Sequence, residues 1–103
     1  MSNYELIKYA IQNKKQVTAM YEGRYREMCP HNLGTKLGRQ HAMFYQFGGD
    51  SSKGPITPAN AQWRCMQLDK LTHLEVKDGP WFTGDNHSRP QTCVDRIEYE
   101  VAF

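Results

Sequence analysis

Arginines and aromatics recur close together on short segments of this chain. Tyr21 precedes Arg24 and Arg26, Tyr45 follows, Trp63 and Arg64 are adjacent, and Lys70 closes the set. The planar guanidinium fork binds phosphate or carboxylate bidentately. The face of an amphipathic aromatic stacks on a base. Arg24 and Arg26 lie two apart, so on a strand they share a face. Together these types make a site for a nucleotide-like anion. The competing role for Tyr21, Tyr45 and Trp63 is core packing. For Arg26 and Arg64 it is an internal ion pair, because an unpaired buried arginine is costly. Arg64 shares a side with Met66 and Leu68. If that side faces inward, its charge needs a ligand anion or a carboxylate such as Asp69.

Other constellations carry less. Cys29-Pro30-His31 places a thiol and an imidazole near one another, with His41, His73, His87 and Cys93 elsewhere. The close pairs of a zinc finger or ribbon are missing, so no metal and no cofactor are expected. His31 is instead a candidate donor to an anion. Gly34 to Arg39 and Gly48 to Gly54 are glycine-rich, but neither matches a phosphate-loop or dinucleotide fingerprint. No nucleophile sits in a recognisable acid–base setting, and Asp78, Asp85 and Asp95 read as turn or strand-edge residues. Catalysis is not expected.

The elements that must position these residues follow from periodicity. Ser2-Asn3-Tyr4-Glu5 has capping-box spacing, and Leu6, Ile7, Ala10 and Ile11 repeat at three and four residues. The spacing predicts a helix over about 3–13. From about residue 16 the pattern turns to strands. Val17 to Tyr21 alternates, Glu22-Gly23 is a hairpin turn, and Arg24 to Cys29 returns, ended by Pro30. Residues 32–39 read as a loop, His41 to Phe47 as a strand, and Gly48 to Asn60 as a long loop. Gln62 to Leu68 and Leu71 to Val76 are strands, with a turn at Lys77 to Pro80. Trp81 to Thr92 is polar, with a turn at Gly84-Asp85-Asn86. Arg96 to Phe103 alternates with strict period two. One helix and five or six short strands point to a small closed or nearly closed barrel.

A chain of 103 residues forms a single domain, 1–103, able to bury a core. It is 39% hydrophobic and 23% charged, which is globular rather than disordered. Residues 1–53 hold eight Lys/Arg against four Asp/Glu, and residues 54–103 hold five against seven. The total of +2 is weak for a general duplex binder but leaves room for a local basic cluster. No apolar run approaches the ~20 residues that span a bilayer, and no signal-peptide pattern opens the chain. Cys29, Cys65 and Cys93 are odd in number and widely spaced, so reduced thiols and a cytoplasmic location are expected.

Tyr21, Arg26, Pro30, Tyr45 and the run Trp63-Arg64-Cys65-Met66-Gln67-Leu68-Asp69-Lys70-Leu71 resemble the WYL domain over about Tyr9 to Val76. This is a ligand-sensing family of bacteria and their phages. Gln40, His41 and Ala42 stand where its naming tripeptide would be. The resemblance implies an Sm-like β-barrel and a basic ligand pocket containing Tyr21, Arg26, Tyr45, Arg64 and Lys70. Full family members join such a barrel to a DNA-binding or effector domain; neither is expected within these 103 residues, so the expectation is a free-standing sensor or sequestering subunit.

The expected fold is therefore all-β: a small Sm-like or SH3-like barrel of five to six antiparallel strands with one N-terminal α-helix. The expected function is non-catalytic binding of a small anion, a nucleotide, cyclic oligonucleotide or short single strand. The expected ligand set is Tyr21, Arg24, Arg26, His31, Tyr45, Trp63, Arg64 and Lys70. The alternative is a structural Sm-like assembly or protein-interaction module, a homo-oligomer joined through edge strands such as Arg96 to Phe103.

Overall fold

The helix forms where the capping spacing puts it. In the computed structural model, which describes residues 2–51, 54–83 and 93–101, α1 spans Asn3–Asn13. The Ser2 side chain accepts from the Glu5 N–H, and Lys14 closes the other end in the left-handed region at φ 50°. Such a cap satisfies the last carbonyls, here those of Ala10 and Ile11. Ile7, Ala10 and Ile11 are buried. At its first residue, Asn3 donates to the carbonyls of Leu68 and Leu71 at 3.0 and 2.9 Å.

Six strands follow: β1 (Gln16–Tyr21), β2 (Arg24–Lys36), β3 (Arg39–Gly49), β4 (Gln62–Gln67), β5 (Leu71–Lys77) and β6 (Arg96–Glu100). All pairings are antiparallel, in the order β4-β3-β2-β1-β5. β2 is long enough to take two partners on one side. Its first half pairs with β1 and its second half with β6. Gly34 sits at that second junction. A Cβ there would run into the Arg96 backbone and the Val94 side chain.

The end strands of this order, β4 and β5, are consecutive in the chain. Only the 3-10 turn Leu68–Lys70 joins them. A few residues span little more than 10 Å, so the sheet must curl until its two ends meet at that corner. Among the described residues no ladder joins β4 to β5. The sheet is therefore strongly curved and antiparallel, but it is not a closed barrel.

Its concave face holds the core. Val17, Ala19, Met28, Leu33, Ala42, Phe44, Met66, Leu68 and Leu71 pack with the helix residues and Val101. Phe44 at its centre is fully buried.

Three sequence expectations need correction. Pro30 does not end β2. It lies beside a register shift between Pro30 and Asn32, a bulge that absorbs its missing N–H. The loop expected at residues 32–39 is strand up to Lys36. The turn shrinks to Leu37 and Gly38, whose φ values of 52° and 77° suit a tight hairpin. Gly48 and Gly49 likewise belong to β3. The turn expected at Gly84-Asp85-Asn86 and the end of the tail at Ala102 and Phe103 lie outside the described residues.

The cysteines also differ from expectation. Cys65 and Cys93 form a disulfide with Cα atoms 5.4 Å apart, within the usual range. Sequence spacing could not show this, since folding brings together residues 28 apart. Only Cys29 is a free thiol, and it is buried. Cysteine usage therefore no longer argues for a reducing compartment. No helix among the described residues is long and apolar enough to cross a membrane.

Candidate functional site

The register divides the expected ligand residues between two faces of the sheet. Directly opposed residues point the same way. Val17 faces Met28, Ala19 faces Arg26, and Tyr21 faces Arg24, so both arginines share the concave side with core residues. Phe44 faces Arg64, and Ala42 faces Met66, which puts Arg64 on that side too. Tyr45 faces Trp63 and Cys29 on the convex side. Tyr21, Arg24, Arg26 and Arg64 thus form one group, and Tyr45 and Trp63 belong to another. A single pocket lined by all of them does not form.

On the concave side the apolar core gives way to an arginine pair. Arg26 is 4% exposed. One of its terminal nitrogens donates to Gln46 Oε1 at 3.3 Å and the other to the Tyr21 carbonyl at 3.3 Å. The guanidinium carbon lies 5.5 Å from the Tyr21 ring centroid, a cation–π distance. Burial first, and then the Arg64 charge, hold the Arg26 pKa below its ordinary value. Nε of Arg26 and both Nε and Nη2 of Arg64 are buried with no hydrogen-bond partner among the described residues. Buried donors are nearly always satisfied, so three orphans on two electrostatically coupled cations are unusual.

No carboxylate among the described residues bonds these three donors, and Glu22 offsets the fall in the Arg26 pKa only in part, through its charge. Asp69, the sequence candidate for Arg64, is exposed and accepts instead from Gln67 at 3.1 Å. Asp50 binds Arg24 at 3.0 Å and accepts from the Ser51 N–H at 2.7 Å. The Ser51 bond and then Arg24 draw its pKa down. Arg24 is thereby a paired rim residue. Lys70 is exposed at the corner between β4 and β5.

Gln46 was missed by the sequence reading. It is fully buried, and its amide nitrogen donates to the carbonyls of Gly48 and Asp50 at 2.9 and 2.8 Å. Those bonds fix its oxygen toward Arg26. The available signal was its place two residues after Phe44 on a period-two strand, where a polar residue on the core side must serve a partner.

On the convex side His31 is the hub of an aromatic cluster. Its ring lies 4.6 Å from Trp63, 4.5 Å from Trp81 and 6.4 Å from Tyr45. Its Nδ1 meets the Cys29 carbonyl at 2.9 Å, so that nitrogen carries the proton. Its Nε2 meets Thr83 Oγ1 at 2.9 Å. With both ring nitrogens engaged and 2% exposure, His31 is a packing and bridging residue in this structure. The Cys29 thiol accepts from the Phe82 N–H at 3.3 Å, and burial pushes its pKa up to about 11. Cys29 and His31 therefore point at different partners and share no coordination site. His87 lies outside the described residues.

Scans of protein families, curated proteins and solved structures each find no match to this chain.

Proposed function

We propose that this domain binds a small anion, without catalysis, through Arg26 and Arg64. The observation that carries the reading is the set of three orphaned guanidinium donors on buried Arg26 and half-buried Arg64, found among the described residues. A phosphate or carboxylate placed between them would satisfy those donors and offset the repulsion that lowers the Arg26 pKa. Gln46 and the Tyr21 carbonyl hold Arg26 in place, so little ordering is needed on binding. The preferred class is a phosphate-bearing molecule such as a nucleotide, with Tyr21 the aromatic beside the pair. Tyr45 and Trp63, on the other face, take no part in it.

The resemblance to WYL domains agrees with this role, with the curved sheet as an open variant of the Sm-like barrel. On that reading the chain senses or sequesters its ligand. A non-catalytic role is supported by the high Cys29 thiol pKa and the occupied His31 nitrogens, which leave them without a nucleophile–base pairing. The test is a thermal-shift series with pyrophosphate, mononucleotides and cyclic dinucleotides. A ligand at 100 times its dissociation constant adds about 2.7 kcal/mol. Stabilisation by none of them would sink the reading.

A second reading is assembly through strand edges. It is favoured by the open sheet, in which β4 and β5 each have a strand on one side only among the described residues. Native mass spectrometry decides it: a single-subunit mass at micromolar concentration removes it.

A further inference from the structure

The three orphaned donors have a pattern as well as a number. Nε and Nη2 of Arg64 lie on one edge of the guanidinium plane, so they offer a parallel pair to a single acceptor group. Arg26 offers Nε alone, because its terminal nitrogens already donate to Gln46 Oε1 and the Tyr21 carbonyl. Register makes the two side chains neighbours. Gln46 is opposite Gln62, and Arg64, two residues further along β4, is diagonal to Gln46 on the concave face. The glutamine that binds Arg26 is thus a cross-strand neighbour of Arg64. After burial, the Arg64 charge is the next cause lowering the Arg26 pKa, as that placement requires.

Charge adds a second requirement. Arg24 is compensated by Asp50. Glu22 acts on Arg26 through its charge but bonds none of the three donors. Arg26 and Arg64 therefore hold their positive charges without an ion pair among the described residues. Arg64 is half-buried, and its exposed part gives an anion access from solvent.

We propose, resting on the anion-binding reading above, that this site selects a terminal phosphate over a phosphodiester or a carboxylate. The Arg64 edge takes two of its oxygens and Arg26 Nε takes the third. A terminal phosphate carries about −1.5 to −2 charge at neutral pH and three strong acceptor oxygens, which matches two guanidinium charges and three donors. A phosphodiester has a single charge and two free oxygens, so one donor goes unserved. A carboxylate oxygen can accept twice, but its single charge leaves one cation uncompensated. A mononucleotide and free inorganic phosphate share the selected chemistry, and separate arms of the experiment distinguish them.

The experiment is calorimetric titration of the full chain with inorganic phosphate, 5′-AMP, 3′,5′-cyclic AMP and acetate. The two nucleotides share base and sugar and differ at the phosphate. AMP should bind about tenfold or more tightly than cyclic AMP, and inorganic phosphate should exceed acetate by a similar factor, the loss of one charge-assisted bond. Arg64→Lys keeps the charge but loses the parallel edge, so it should weaken AMP by about tenfold or more and narrow its advantage over cyclic AMP. Equal affinity for AMP and cyclic AMP, or an Arg64→Lys protein that binds AMP as wild type does, would overturn the selection and leave the anion-binding reading standing. So would stabilisation by cyclic dinucleotides with no response to AMP or phosphate. No response to any of these probes or to pyrophosphate would remove the selection and the reading together.

Discussion

Arg26 on β2 and Arg64 on β4 flank β3 on its concave side, opposite Gly49 and Phe44, and together they hold three buried guanidinium nitrogens with no hydrogen-bond partner among the described residues. Burial first, and then repulsion from the Arg64 charge, lower the Arg26 pKa. The arrangement costs stability in the empty protein. An anion bound between them, as proposed, would reverse the sign of that interaction.

Arg64→Ala separates binding from folding. The substitution should weaken a phosphate-bearing ligand by more than tenfold, since a charge-assisted bond contributes about 1.5–3 kcal/mol. The empty protein should melt at the same temperature or higher, because a repelled, partly desolvated charge is gone. Calorimetric titration and a thermal melt check both halves. A large fall in melting temperature with unchanged affinity would make Arg64 structural.

Trp63→Leu tests the division between faces. Trp63 packs against His31 and Tyr45 on the convex side, away from the arginines. The variant should lose roughly 1–3 kcal/mol of stability through lost packing. Its affinity for the same anion should stay within about twofold, because its side chain points to the opposite face of β4 from Arg64. A tenfold loss of affinity would show that the aromatic reaches the ligand after all.

Acid dependence should trace in part to Asp50. The Ser51 N–H and then Arg24 hold its pKa below 3.8, so between the two values the unfolded chain binds more protons than the folded one. Its contribution is complete above the unfolded value of about 4 and is lost as pH falls through the folded one. Asp50→Asn should melt below wild type at neutral pH, and the two curves should converge in acid. Curves that stay parallel down to about pH 2 would remove Asp50 from the account.

Gly34→Ala should be the most damaging of these substitutions. The added Cβ would meet the Arg96 backbone and Val94, forcing β6 away from β2. Overpacking of this kind costs about 1–3 kcal/mol, and more where backbone must move. Hydrogen exchange should show the loss concentrated at the β2–β6 ladder. Uniform protection across the sheet would mean that the strand shifts without cost.

Local chemistry and periodicity in the sequence determined the helix from Asn3 to Asn13, the strand character of Gln16 to Tyr21, and the alternation at Arg96 to Glu100. These features depend on neighbours a few residues apart. The inward side of Arg64 was also legible, since Met66 and Leu68 share its period. Tertiary structure decided the rest. Pro30 and the glycines at 34 and 48–49 look like breakers in isolation, but a bulge and the close approach of β6 make them strand residues. The separation of Arg26 from Tyr45 depends on register across β2 and β3, where a shift between Glu27 and Met28 changes which residues oppose each other. Cys65 and Cys93 meet only because the fold brings together residues 28 apart in sequence. Side-chain direction along one strand is written in the sequence, whereas which residues share a face across strands depends on contacts between distant residues.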